Sequence, residues 1–315
     1  MIVHLVLAGF FQILILIIYF YIARRLNILD TVNERSSHWR PTIRGGGIIF
    51  PSAVFIWFAF EGLYYPWFSL GLFILSLISF LDDLYSLPPL PRFVVQLISA
   101  VLLLYQTDFF FSEWFWWPLG LILIIGWVNA FNFMDGINGI TSFYSLAVLL
   151  PFYLINGHFG LFDPSLLFSI GLALLIFSFF NVRKTAICFA GDVGSISLAF
   201  IIAFFVLSLI LHTEQWQYIL LIAVYGVDSS LTIFHRLLKG ENIFEAHRSH
   251  LYQYLANELK LGHIKVAVIY ALSQLLISYF SFSYYNVSAL ASVLILGLLS
   301  LLYILIKYLV LRKVY

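Results

Sequence analysis

The chain has 315 residues, 63% of them hydrophobic and 10% charged, with a net charge of +1. A soluble domain is nearer half apolar and a quarter charged, so the composition is of the membrane class, and the small net charge argues against a general electrostatic nucleic-acid binder. Cys188 is the single cysteine, which excludes an internal disulfide and leaves compartment unread from thiol usage.

Apolar runs of membrane-crossing character are expected at 2–23, 45–60, 67–81, 92–107, 114–131, 139–155, 164–181, 194–211, 216–234, 264–282 and 287–310. No basic segment precedes the first, so it reads as a retained helix and not a cleaved leader. The runs are continuous and do not alternate, which selects helices over the strands of an outer-membrane barrel. The expected fold is all-α: a polytopic integral membrane protein of eleven transmembrane helices, or ten if one of the short aromatic-rich runs does not cross. Residues 1–315 are read as a single transmembrane domain.

The gaps between runs fix an orientation. Arg24, Arg25, Arg35, Arg40 and Arg44 fall in the first gap, Arg92 at the third, and Arg183 with Lys184 at the seventh. Arg236, Lys239, Arg248, Lys260 and Lys265 fall at the ninth, and Lys307, Arg312 and Lys313 near the C-terminus. Together these are all 16 Lys and Arg, and they share one side, whereas the other gaps hold Glu61, Asp108, Glu113, Asp163 and Glu214. Positive residues stay inside, so the N-terminus is expected outside and the C-terminus in the cytoplasm. The cytoplasmic loops are then 24–44, 82–91, 132–138, 182–193 and 235–263.

Polar motifs gather on that inner side. In "FLDDLYSL" (80–87) Asp82 and Asp83 close an apolar run, and the prolines that follow predict a helix end. The pair is either a solvated helix end or a site for phosphate or metal, and Arg92 either an interfacial cation or its neutralising group. Adjacent helical residues diverge by about 100°, so the two carboxylates should face different partners. "NAFNFMDGINGI" (129–140) is either a plain turn or a source of oxygen donors, with Asn132 and Asp135 at i and i+3. "FAGDVGS" (189–195) sets Asp192 between glycines before a span, either as an N-cap or where an anion meets a helix N-terminus. "EAHRSHLYQ" (245–253) clusters His247, Arg248 and His250, as an interfacial basic helix or for diphosphate recognition. Asp228 lies inside the ninth run and is expected to pair with His235 or Arg236. No P-loop lysine follows the glycines, and no HExxH or CxxC pattern supports zinc.

These stretches, together with "RPTIRGGGI" (40–48) and in this order, resemble the polyprenyl-phosphate N-acetylhexosamine-1-phosphate transferases (glycosyltransferase family 4), and most closely the O-antigen-initiating branch. The resemblance runs from about residue 33 to 253 and makes the transmembrane domain a catalytic one. It implies transfer of a sugar-1-phosphate of the N-acetylhexosamine type from a UDP-sugar to undecaprenyl phosphate, with release of UMP, at the cytoplasmic face of a bacterial inner membrane. It implies Mg²⁺, or Mn²⁺, held by Asn132 and Asp192. Asp82, Asp83, Asp135, His247 and His250 match catalytic positions. Arg44, Arg92, Asn138, Phe189 and Arg248 match substrate-binding ones, with Phe189 stacking on uracil and Asn138 near it. Arg92 stands where the family usually has lysine, and "HRSH" replaces the histidine run of the cell-wall branch, which points away from a muramoyl-pentapeptide substrate. Expected partners are the UDP-N-acetylhexosamine, undecaprenyl phosphate and the lipid bilayer, with a homodimer as an allowed assembly and no nucleic acid.

Two other classes compete. An ion-coupled membrane transporter would place its acidic groups at the bilayer midplane and show internal repeats, but only Asp228 is so placed and no repeat is visible. A CDP-alcohol phosphotransferase would carry a single spaced aspartate run, which is absent.

Overall fold

The computed structural model describes residues 2–30, 40–109, 114–242, 248–283 and 288–314, and almost all of them are helical. Helix α1 (Ile2–Arg25) ends in Arg24 and Arg25 and is followed by a minimal antiparallel pair, β1 (Leu29–Asp30) with β2 (Thr42–Ile43). A 3-10 turn, Gly46–Ile48, leads into the short α2 (Ile49–Phe60). Helices α3 (Pro66–Tyr85), α4 (Pro89–Gln106), α5 (Trp117–Phe133) and, later, α7 (Pro164–Asn181) each carry proline in the first turn. Proline is tolerated there because the missing N–H would have had no intrahelical acceptor. Helix α6 (Ile140–Phe159) lies between left-handed Gly139 and Gly160, and Asp163 caps α7 by accepting from Ser165 N at 2.8 Å.

Helix α8 (Gly191–Thr213) is buried on nearly every side from Val193 to Val206, and α2, α3, α5 and α6 pack around it. A helix apolar all round must be surrounded by other helices or by lipid, and here other helices take that place. The 3-10 stretch Trp216–Ile222 continues into α9 (Ala223–Leu238). Then come the short α10 (Leu251–Gln253), a π-helical turn over Tyr254–Glu258, α11 (His263–Ser283) against α6, and α12 (Ala289–Val314). Helix α12 sends Leu290, Val293, Leu294, Leu298 and Leu301 outward, as a lipid-facing helix does.

Ten of the helical segments are long and apolar enough to cross a membrane, and Gly46–Phe60 is a shorter apolar helix. Among the described residues a helix therefore stands at each of the eleven expected runs, and the choice between ten and eleven crossings turns on the short α2. One expectation is corrected. Asp228 does not pair with His235 or Arg236. The Arg236 guanidinium meets Glu241 at 2.9 Å and donates to Asn242 O at 2.6 Å, while Asp228 meets His250, Tyr270 and Tyr303. Two helical turns separate Asp228 from Arg236 by about 12 Å along the axis; within its own helix Asp228 accepts from Thr232 at 3.3 Å, and its other partners come from other elements.

Candidate active site at one set of helix ends

Backbone contacts assemble the site first. Ile43 pairs in parallel with Cys188, and Phe189 N donates to Ile43 O at 2.8 Å. Gly46 N and Gly47 N donate to the carbonyls of Phe189 and Ala190 at 2.8 and 3.0 Å. A side chain on Gly47 would collide with the backbone of Gly194, so the glycines of both motifs let the 3-10 turn lie directly on the start of α8. Gly191 has φ +71°, and a Cβ there would lie 2.6 Å from Asp83 Oδ2. Tyr19 Oη, on α1, donates to Arg44 O at 2.5 Å and fixes the same turn from the other side.

Three carboxylates and two guanidiniums meet here. Asp83 Oδ1 accepts from Arg44 Nε at 2.6 Å and from Asp192 N at 2.9 Å, and its Oδ2 accepts from Val193 N at 3.0 Å. The first N–H groups of a helix have no intrahelical acceptor and favour negative charge. At α8 that anion is a carboxylate delivered by α3. Asp192 is therefore not the N-cap, and the helix terminus is not open to a substrate phosphate. Asp82 turns elsewhere, its Oδ2 to Arg92 Nη1 at 2.5 Å and its Oδ1 to Leu87 N at 2.6 Å. The adjacent aspartates thus hold different partners, as their angular separation on a helix requires. Asp192 lies beside both and between the two cations, 3.6 Å from Arg44 Nη2 and 4.0 Å from Arg92 Nη1. Arg92 Nε is buried with no hydrogen-bond partner among the described residues.

The 129–140 stretch closes one side. Ser195, one turn into α8, is within 2.6 Å of Asn132 Oδ1 and holds that amide oxygen at the helix start near Asp192. Asp135 accepts a short hydrogen bond from Thr141 Oγ1, and burial pushes its carboxyl from 3.8 up to about 6. Asn138 is buried and donates to Arg183 O at 2.8 Å, which ties it to the next loop. Asn181 joins the same seam: it accepts from Gly139 N at 2.7 Å and donates to Cys188 O at 2.9 Å. Half-buried Phe189 stands in the strand-like segment just before α8. Tyr252 Oη donates to Phe133 O at 2.9 Å and packs on Gly136, where a Cβ would strike its hydroxyl.

The late loop is divided. His247 lies outside the described residues. Arg248 is half-buried, and His250 is buried with Nδ1 3.1 Å from Asp228 Oδ1. Residue types alone did not single out Ser195, Thr141, Asn181, Tyr252 or Lys307. Thr141 reaches Asp135 from six residues on, and each of the others holds a motif residue or its main chain through a contact between segments distant in sequence.

A divalent cation suits this donor set. Three carboxylates face two guanidiniums, which leaves negative charge uncompensated, and Asp192 with Asn132 offers the hard oxygens that Mg²⁺ prefers. Among the described residues no group of three His, Cys, Asp or Glu forms a ready cage. Magnesium typically uses one or two carboxylates and takes its other ligands from water and substrate phosphates, so the residues fit such an ion.

The sequence pattern described as glycosyl transferase family 4 matches residues 65–210. A probable undecaprenyl-phosphate N-acetylglucosaminyl 1-phosphate transferase of Bacillus subtilis is 27% identical over 273 residues, covering 79% of this chain and 75% of that protein. A phospho-N-acetylmuramoyl-pentapeptide-transferase of Heliobacterium modesticaldum is 30% identical over 267 residues, covering 70% of this chain and 78% of that one. The enzyme of the same name from Thermotoga petrophila is 28% identical over 183 residues, covering 52% and 58%. With the motifs assembled at one set of helix ends and these relatives aligned across most of its length, the chain belongs to glycosyl transferase family 4, the polyprenyl-phosphate hexosamine-1-phosphate transferases.

Proposed function

We propose that the protein transfers an N-acetylhexosamine-1-phosphate from a UDP-sugar to undecaprenyl phosphate, releases UMP, and so begins a lipid-linked glycan such as O-antigen. The reaction is placed at the cytoplasmic face of a bacterial inner membrane. The observation that carries this reading is Asp192 set between Arg44 and Arg92 beside the Asp82–Asp83 pair, where apolar helices end. A water-soluble diphosphate and a membrane-held phosphate can meet at such a boundary.

A phosphate oxygen of the lipid attacks the β-phosphorus of the UDP-sugar. The bond to the bridging oxygen breaks, and UMP leaves with that oxygen. A phosphate monoester has its second pKa near 6, so the nucleophile is already largely dianionic at neutral pH and needs no obligatory base. Positioning and charge neutralisation do most of the work in such transfers. Arg92, with its buried Nε unpartnered among the described residues, is the cation suited to the incoming phosphate. Arg44 is locked to Asp83 and fixes the acidic pair. Asp192 and Asn132 would hold Mg²⁺ or Mn²⁺, which when bound neutralises charge on the diphosphate. Arg248 meets the diphosphate, Phe189 stacks on the uracil with Asn138 nearby, and His247, His250 and Asp135 complete the polar surround.

The test is UMP release by purified protein with Mg²⁺, undecaprenyl phosphate and a panel of UDP-sugars: the GlcNAc, FucNAc, QuiNAc and muramoyl-pentapeptide forms. Release with an N-acetylhexosamine, lost on chelation and restored by Mg²⁺, is expected. No UMP from any sugar would sink the enzyme reading. A phosphorylated Asp82 or Asp83, trapped with UDP-sugar alone, would replace direct attack with a two-step route.

A further inference from the structure

Lys307 lies in the apolar helix α12, close to its inner end. A lysine there would ordinarily extend along the helix to the membrane surface and keep its ammonium in water. Here it is only 8% exposed, and its ammonium meets three protein oxygens. Lys307 Nζ donates to Ser249 O at 2.7 Å, to Tyr303 Oη at 3.1 Å and to Thr232 Oγ1 at 3.3 Å. An ammonium has three donors, and all are taken. A charge buried so deep in a membrane-class chain is costly unless it is held for a purpose.

The partners point to that purpose. Asp228, on α9, supplies the opposite charge, and its carboxylate is as fully used. Oδ2 accepts from Tyr270 Oη at 2.6 Å, and Oδ1 lies 3.1 Å from His250 Nδ1, 3.1 Å from Tyr303 Oη and 3.3 Å from Leu251 N. One ammonium and one carboxylate, contributed by α12 and α9, thus grip three consecutive residues: the carbonyl of Ser249, the ring of His250 and the N–H of Leu251. Arg248 precedes the gripped residues directly, and Tyr252 follows them and binds the Asp135 loop.

We propose that Lys307 and Tyr303 are positioning residues for the transfer. Through Ser249 they hold the main chain so that Arg248 is presented to the diphosphate of the nucleotide sugar. The inference rests on the proposed role of Arg248. It gives α12, which lies outside the stretch matched by the family pattern, a part in nucleotide-sugar recognition without contact to it.

The experiment compares wild type with Lys307→Met, Lys307→Arg, Tyr303→Phe, Arg248→Ala and the Lys307→Met/Arg248→Ala double variant. KM is measured separately for the UDP-sugar and for undecaprenyl phosphate. Loss of a charge-assisted contact is expected to raise KM for the UDP-sugar about tenfold in Lys307→Met, with KM for the lipid within about twofold of wild type. Lys307→Arg should recover part of the loss, and Tyr303→Phe should show a smaller shift in the same direction. If Lys307 acts through Arg248, the double variant is little worse than Arg248→Ala alone. Equal shifts in both KM values, or full multiplication of the two single effects, would overturn the proposal. A second readout needs no activity: trypsin cleavage after Arg248, followed by mass spectrometry, should be faster in Lys307→Met, and an unchanged rate counts against it. Should Lys307→Met fail to fold, as its melting transition will show, Lys307→Arg and Tyr303→Phe carry the same comparison. A wild type that releases no UMP refutes the enzyme reading, and the cleavage rate still decides whether Lys307 holds the segment.

Discussion

Replacing Asp83 with alanine removes several interactions together. Arg44 loses its partner at 2.6 Å, and the N–H groups of Asp192 and Val193 lose their acceptor. Leaving the partly buried Arg44 with Asp192 alone at 3.6 Å, and two helix-terminal donors without an acceptor, is expected to cost about 3 kcal/mol. Asp82→Ala frees the partly exposed Arg92 and the Leu87 N–H and removes a contact to Asp192, and should cost about half as much. Thermal unfolding in detergent distinguishes the two, and equal losses would contradict the division of labour. At Asp135 burial favours the protonated carboxyl, so between pH 3.8 and about 6 the folded chain keeps a proton that the unfolded chain has lost. Stability contributed by this group therefore falls as pH rises through that window. If the ionised form serves the reaction, the rate falls below about pH 6. The Thr141 hydroxyl bond holds the pKa down, so Thr141→Val should move the acid limb upward by about one pH unit, read from initial rates between about pH 5 and 8. The aspartates themselves were legible in the sequence because a charge beside an apolar run is conspicuous. Thr141 and Ser195 were not, since a hydroxyl in a helix has many unremarkable uses.

At the scale of elements, the first turn of α8 is pressed against the Gly45–Gly47 turn. Gly47→Ala must push Gly194 away, and it is expected to destabilise by about 1–3 kcal/mol and to lower the rate by displacing Asp192; calorimetry and UMP release check both. The sequence marked the Gly191–Gly194 motif as a place where an anion meets a helix start. It suggested a phosphate as that anion, whereas the structure puts the Gly45–Gly47 turn against the motif and fills the helix N-terminus with Asp83. The reason is that glycine patterns report the absence of a side chain, and they do not say what occupies the space. Helix boundaries were more legible: proline at the first turn of α3, α4, α5 and α7 and left-handed Gly160 after α6 are local signals.

For the whole molecule, charge segregation predicts which loops share a side, and cysteine labelling tests it on a clean background because Cys188 is fully buried. Ser86→Cys and Thr185→Cys, at exposed inner-loop positions, should react with a membrane-impermeant maleimide only in inverted vesicles. Tyr64→Cys, exposed in the loop between α2 and α3, should react only from the opposite side. Labelling of all three from one side would refute the assigned orientation.

The sequence by itself determined the all-α membrane class, the positions of the apolar helices and the polar motifs that close them. Those properties follow from composition, hydropathy along the chain and the side on which charge lies, all of them local. Only the tertiary structure decided that Asp83 serves α8, that Asp82 serves Arg92, and that Asp228 and Lys307 hold the Arg248 segment and leave Arg236 to Glu241. Each of these partnerships joins helices far apart in the chain. Which buried charge meets which is fixed by how the helices pack, because a charge removed from water must be satisfied by whatever polar group packing brings within reach.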